Sequence, residues 1–350
     1  MPTHVRSHSK INLGLAIGPP RADGFHSLVT LYQTLALHDI VTISASPAAT
    51  TTLTLTSNHP AVPTDHRNTA WRIVQLALAR LNRKAQVNLH IQKDLPVQGG
   101  MGAGSANAAA ALLGLERELG IALPGPDRLA LAAEVGSDVP LFLLGGAVLG
   151  LNRGEEVYPM PDLPPTPCVI ALPSVGVSTP QAFRDWDSLP QSGGELTKST
   201  APDRLRELSL ALAATFAEPG TSGILCNPEK KQAASDENPA NMQNDLAESS
   251  LLALVRTGIE NDFEQVVFPI HPSLREIKRN LMGSSSAGAS SLESPALYVA
   301  LSGSGSALFG LYRSNADAQA AQQRVQASGV KAVLTHTLPR TAYWRTMFAG

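Results

Sequence analysis

A chain of 350 residues, 43% hydrophobic and 16% charged, has the composition of an ordinary globular protein long enough for two packed domains. Its 27 Lys and Arg against 29 Asp and Glu leave a formal net charge of −2, which excludes a global electrostatic footprint for nucleic acid or an anionic membrane. The two cysteines, Cys168 and Cys226, form no C-x-x-C pair and read as reduced structural residues. At the start of the chain, MPTHVRSHSKINLGLAIGPP sets basic residues before a short apolar run. Asn12 and Gly14 break that run, and Pro19-Pro20 closes it without a small-residue cleavage site. No stretch reaches the roughly 18 apolar residues of a membrane span. The expected location is the cytoplasm, with no nucleic-acid and no membrane partner.

The stretches KINLGLAI at 10–17, DIVTISA at 39–45, TTLTLTS at 51–57 and QVNLHIQ at 86–92 alternate as strands do. NTAWRIVQLALARLNRK, 68–84, repeats apolar residues every three or four positions and ends in basic residues, the period and end charge of a helix. The glycine-rich PVQGGMGAGSANAA, 96–109, runs into SANAAAALLGLEREL, 105–119, a helix apolar on nearly every face in its first half and so expected to pack deeply there. PMPDLPPTP at 159–167 marks a boundary between a first domain, 1–160, and a second, 168–350, which opens with the strand CVIALPS. Residues near 190–242 are rich in Ser, Pro, Gly and Asn and read as mobile loops around one helical island, APDRLRELSLALAATFA. NDLAESSLLALVR and PSLREIKRNLM read as helices, 283–294 as a flexible loop, and ALYVALSGSGSALFGLYR as two strands about a glycine turn. With no tandem repeat, the expected class is α+β.

The glycine stretch fits neither common phosphate loop. A Walker loop needs a lysine after its glycines, and none follows until Lys198; a dinucleotide fingerprint needs a third glycine where Asn107 stands. Its physics still favours an anion: glycines let backbone N–H groups converge, and the next helix adds uncapped N–H groups and the positive end of its dipole. Ser105 and Asn107 would add short polar side chains. A flexible connector for close helix packing is the competing reading. In EVGSDVPLFLLGG, Asp138 is either a helix N-cap ahead of Pro140 or a carboxylate near a phosphate site that deprotonates a hydroxyl. Lys10 heads an apolar strand, where a lysine usually points to solvent; if it converges with Asp138 it would keep that carboxylate ionised.

SKINLGLAI, RADGFHSLVTLYQTLALHDIVTI, PVQGGMGAGSANAA, GSDVPLFLLGGAVLGLNRGEEV and ALSGSGSALFGLY, in that order, resemble the successive motifs of the 4-diphosphocytidyl-2-C-methyl-D-erythritol kinase family. That family lies within the superfamily of galactokinase, homoserine kinase, mevalonate kinase and phosphomevalonate kinase. The resemblance implies a two-domain small-molecule kinase fold, with ATP and substrate in the inter-domain cleft and Mg²⁺ accompanying ATP. It implies phosphorylation of the 2-hydroxyl of a cytidine-diphosphate-linked methylerythritol in the non-mevalonate route to isoprenoid precursors, by a monomer or weak homodimer. Lys10 and Asp138 then become the catalytic pair, Asp138 the base. Pro96, Val97, Gln98, Gly99, Gly100, Met101, Gly102, Ala103, Gly104, Ser105 and Ala106 form the ATP-phosphate loop. Phe25, His26 and Phe183 hold the cytosine, and Asn12, on the strand face of Lys10, lies near the substrate hydroxyl. SGSGS at 302–306 closes over the phosphates from the second domain. No dedicated metal site is implied, and the other histidines read as surface or packing residues.

The chain departs from the family pattern at Gln98 and Ala103, where small or glycine residues are usual, and at Ala106, where serine is usual. Gln98 is placed to narrow the nucleotide pocket, and Ala106 removes a hydroxyl donor. Two other readings stand beside the first. A homoserine- or mevalonate-type kinase would share the loop but not need the aromatic faces of DGFH and Phe183. A non-catalytic nucleotide-binding regulator would be expected to lack Lys10 or Asp138.

Overall fold

A computed structural model gives the fold and describes residues 1–97, 99–189, 210, 260–283 and 296–349. The loops and helical island expected within 190–242, the helix at NDLAESSLLALVR, most of the 283–294 loop, Gln98 and Cys226 lie outside the described residues.

The first elements in chain order are β1 (Thr3–Pro20), β2 (His26–Pro47), β3 (Thr52–Ser57), α1 (Thr69–Arg80), β4 (Ala85–Gln92), α2 (Ala103–Leu119) and α3 (Gly125–Val135). A 3₁₀ turn, Pro140–Leu143, precedes β5 (Ala147–Asn152), β6 (Glu156–Pro159), β7 (Pro167–Leu172) and α4 (Thr179–Asp187). After the undescribed stretch come α5 (Glu264–Ile270), α6 (Pro272–Met282), β8 (Tyr298–Leu301), β9 (Leu308–Leu311), α7 (Asn315–Ala327), β10 (Lys331–His336), α8 (Arg340–Thr346) and β11 (Phe348–Ala349).

These elements form two compact units, neither of them a single stretch of chain. One comprises Met1–Asn12, Leu31–Asp162 and Leu338–Gly350, and the other Leu13–Thr30 and Leu163–Thr337. The change at Asp162 falls in the proline-rich segment, while residues 13–30 and 338–350 belong to the unit opposite the one a linear division assigns them. Among the described residues no helix is long and apolar enough to cross a membrane.

The first unit is built on a sheet of order β11-β1-β2-β4-β3, with β5 added to β2 and β6 to β5. β3 and β4 are parallel neighbours joined through α1, as a parallel pair requires a crossover. β1 and β2 are far longer than their alternating cores at 10–17 and 39–45. The reason is visible in β2, where residues 29–35 are all buried, so no exposed face remains there to write an alternation, whereas 39–44 alternate between buried and half-buried. α2 is buried along nearly its whole length, as its apolar first half predicts. A Cβ at Gly114 would lie 2.4 Å from Cγ2 of Ile43, so this close helix-to-sheet approach needs glycine.

The second unit holds the antiparallel sheet β10-β7-β9-β8, with β8 and β9 flanking the expected glycine turn. Its core includes Leu15 and Ile17 of β1 with Val169, Phe263, Leu274, Leu308 and Tyr312. Asn261 pins the glycine turn by donating from Nδ2 to the carbonyls of Leu301, at 2.8 Å, and Gly303, at 2.7 Å.

Candidate active site

Lys10 points inward, against the habit of strand lysines, because β1 is buried on both faces around it; its side chain is 3% exposed. Burial pushes the ammonium below the ordinary lysine value, and Asp138 partly offsets the shift. Nζ donates to Oδ1 of Asn12 at 2.6 Å and lies 3.5 Å from Oδ2 of Asp138. It also sits 5.4 Å from the ring centre of Tyr32. Lys10 and Asn12 thus share one face of the strand, as their spacing of two predicts.

The glycine stretch meets this lysine directly. The Lys10 amide donates to the Met101 carbonyl at 3.1 Å. Gly102, the residue before α2, has φ +70°, and a Cβ there would sit 2.9 Å from Cζ of Phe142 and 3.1 Å from Cγ of Lys10. Glycine is demanded twice, by the left-handed backbone and by the close approach. No side chain caps the start of α2, which leaves its first-turn N–H groups and the positive end of its dipole toward the loop. Ala103 to Ala106 are themselves the first helical turn, so the helix begins two residues earlier than its apolar run suggested. Thr69 braces this turn by donating to the Gly104 carbonyl at 2.6 Å.

One expected loop side chain is corrected. Asn107 is buried, and its Oδ1 accepts from Oγ of Ser7 at 2.6 Å, so it ties α2 to β1 and does not serve the loop. Ser105 is half-buried, with Oγ 3.9 Å from where a Cβ of Gly136 would stand, two residues before Asp138. At the loop entrance Pro96 is half-buried and Val97 exposed; Met101 is buried.

Asp138 follows α3 on a short turn. It is not a helix cap: the residue before the 3₁₀ turn is Val139, and no side chain caps that turn. Its carboxylate instead accepts from the Tyr32 hydroxyl at 3.0 Å through Oδ1, while Oδ2 faces Lys10. Burial first, then the charge and hydrogen bond of Asp138, and last the charge of Glu155, push the Tyr32 phenol well above its ordinary value. A carboxylate held between an ammonium and a phenol, next to an uncapped helix start, has the parts of a general base beside an anion cradle.

A second group of expected residues lies in the other unit. His26 is buried, with Nδ1 3.0 Å from the Gly18 carbonyl and Nε2 3.2 Å from Oδ1 of Asp187. Its ring stacks on Phe183, centroids 5.0 Å apart and planes 7° from parallel, and Phe183 meets Phe263 edge-on at 5.0 Å. Phe25, in the turn before β2, is 50% exposed. Tyr32, Asp187 and Phe263 were not singled out from the sequence. Tyr32 sits in LVTLYQTLAL, where an aromatic reads as ordinary core, and Asp187 sits in the polar stretch RDWDS, where nothing local marks one acid over another.

Residues 68–146 match the GHMP kinase N-terminal domain, and 239–331 the GHMP kinase C-terminal domain. The 4-diphosphocytidyl-2-C-methyl-D-erythritol kinase of Solibacter usitatus is 34% identical over 310 residues, spanning 89% of this chain and 81% of the relative. The enzyme of the same name from Acaryochloris marina is 32% identical, over 92% of this chain and 91% of the relative. A crystal structure of 4-(cytidine 5′-diphospho)-2C-methyl-D-erythritol kinase superposes with a TM-score of 0.63 at 26% identity, covering 95% of this chain and 98% of the other. Homoserine kinase from Cytophaga hutchinsonii, at 17% identity and a TM-score of 0.60 over 96% of this chain and 95% of the other, shares the fold. On this sustained identity across both domains, the chain belongs to the 4-diphosphocytidyl-2-C-methyl-D-erythritol kinase family of the GHMP kinases.

Proposed function

We propose that this chain transfers the terminal phosphoryl group of ATP to the 2-hydroxyl of 4-diphosphocytidyl-2-C-methyl-D-erythritol, giving the 2-phosphate and ADP. The observation that carries this reading is buried Lys10 paired with half-buried Asp138, 3.5 Å apart, against Gly102 at the start of α2. Asp138 takes the proton of the acceptor hydroxyl as that oxygen bonds to phosphorus and the bond to the departing ADP oxygen breaks. Lys10 faces Asp138 and stabilises charge on the group in transfer. Asn12, held by the same ammonium, lies beside the acceptor hydroxyl. The loop from Pro96 to Ala106 cradles the phosphates with its backbone N–H groups.

Among the described residues no group of three or more His, Cys, Asp or Glu could cage a metal ion. Mg²⁺ would accompany ATP and neutralise charge on its phosphates. Phe25, His26 and Phe183 supply the flat faces and polar edge for cytosine. The regulator alternative loses its ground, since both members of the pair are present and face each other. We place the enzyme in the cytoplasm.

The test is an ATP-coupled assay with the cytidyl acceptor, homoserine and mevalonate offered separately. Turnover is expected with the first; turnover with either of the others and none with the first would overturn the proposal. The folded Asp138→Asn enzyme should lose about 10²-fold or more in kcat, the range for a lost general base. Turnover like wild type would remove Asp138 from that role.

A further inference from the structure

We infer that Tyr32 is a positioning residue for phosphoryl transfer: its hydroxyl binds Oδ1 of Asp138 and fixes the carboxylate in one orientation, with Oδ2 toward Lys10. The inference rests on Asp138 being the base proposed above. Three observations carry it. The Tyr32 side chain lies within the apolar core of its unit and is 2% exposed, an environment in which phenylalanine would pack as well. The hydroxyl is the one part of the ring that such a core does not explain, and it points at the reacting carboxylate from 3.0 Å. The backbone is also shaped around it: Gly154, in the turn between β5 and β6 with φ +101°, approaches so closely that a Cβ would stand 2.4 Å from the Tyr32 hydroxyl oxygen. A turn kept bare of a side chain at this point preserves the room for the phenol oxygen.

The division of labour follows from where the donors lie. Without Tyr32, Asp138 would keep, among the described residues, the ammonium near Oδ2 at the long distance of 3.5 Å, and its rotamer would be freer to swing. With it, each carboxylate oxygen faces a different donor on a different strand, Lys10 from β1 and Tyr32 from β2. Among the described residues, Glu155 also acts on Tyr32 through its charge, and Arg153 pairs with Glu155 at 3.0 Å. Because burial and the neighbouring carboxylate both resist loss of its proton, the phenol remains a donor throughout the working pH range.

The experiment is Tyr32→Phe in the full chain, read as kcat, KM for each substrate, and the acid limb of the kcat/KM profile, which reports the free enzyme's base. Loss of this donor should move the acid limb to higher pH and lower kcat about tenfold. A folded Tyr32→Phe enzyme with an unmoved limb overturns the inference, whether its melting temperature falls or not. So does a raised acceptor KM with kcat and limb unchanged, which would make Tyr32 a substrate contact. If the phenylalanine variant does not fold, 3-fluorotyrosine inserted at position 32 reads the same bond in the opposite direction. Its more acidic hydroxyl donates more strongly and should shift the limb to lower pH; no shift overturns the inference. Asp138→Asn separates the two proposals: if it retains full turnover the base assignment fails, whereas an inactive Asp138→Asn beside an unperturbed Tyr32→Phe fails Tyr32 alone.

Discussion

His8 stands two positions from Lys10 on β1 and is 2% exposed. Its Nδ1 faces the Leu35 carbonyl at 3.2 Å, and its Nε2 has no hydrogen-bond partner among the described residues. Burial, reinforced by the nearby His38, lowers its pKa to about 3 from 6.5. The folded state therefore refuses a proton that the unfolded chain accepts below about pH 6.5. The stability tied to neutral His8 is fully present above that pH and is lost as pH falls toward 3, at up to about 1.4 kcal/mol per unit. His8→Gln should flatten the dependence of unfolding free energy on pH between 6 and 4, measured by denaturant titration; an unchanged slope would show that His8 does not set it. At this scale Lys10 and Asp138 stood out in the sequence as a lysine in an apolar strand and an acid before Val-Pro. Tyr32 did not, because nothing local distinguishes a tyrosine whose ring fills the core from one whose hydroxyl serves a carboxylate 106 positions away.

The glycine-rich loop at 96–106 depends on a clasp at its entrance. Asp39 is fully buried, and its Oδ1 accepts from the amides of Asp94, at 2.8 Å, and Leu95, at 2.7 Å, while Oδ2 pairs with Nζ of Lys93 at 2.6 Å. The carboxylate thus fixes the backbone immediately ahead of Pro96. Removing one partner strands a buried charge and two amides, so Asp39→Ala should cost about 3–5 kcal/mol in denaturant unfolding. A loss under about 1 kcal/mol would mean the clasp is idle. Elements with a solvent face were legible in advance: the period of α1 and the alternation of β4 survive because one side of each is wet. α7 also carries a readable signal, since Ser314 accepts from the Asp317 amide at 3.1 Å in an S-x-x-D capping pattern. The full length of β2 was not legible, because its stretch 29–35, buried on both faces, loses the alternation that marks a strand.

At the scale of the molecule, the chain passes between its two units at 12/13, 30/31, 162/163 and 337/338. Residues 13–30 therefore complete a core whose other parts lie beyond residue 162. The Leu15 amide donates to the Glu260 carbonyl at 3.1 Å, the Asp262 amide donates to the Leu15 carbonyl at 3.0 Å, and the Ile17 amide donates to Oδ2 of Asp262 at 2.8 Å. A fragment of 163–337 would lose Leu15 and Ile17 from its core and leave Asp262 without that amide, so it should show no cooperative thermal transition. A sharp transition in the isolated fragment, followed by circular dichroism, would refute this dependence. The sequence by itself determined the mixed α+β character, the glycine stretch ahead of a buried helix and the family, because these are written in local pattern and in motif order. Only the tertiary structure decided which side chains meet. Lys10 turns inward to Asp138, Asn107 turns away from the loop to Ser7, and Tyr32 reaches the carboxylate. These outcomes depend on which strands lie side by side and on the two-sided burial of β1, and no window of neighbouring residues contains that information.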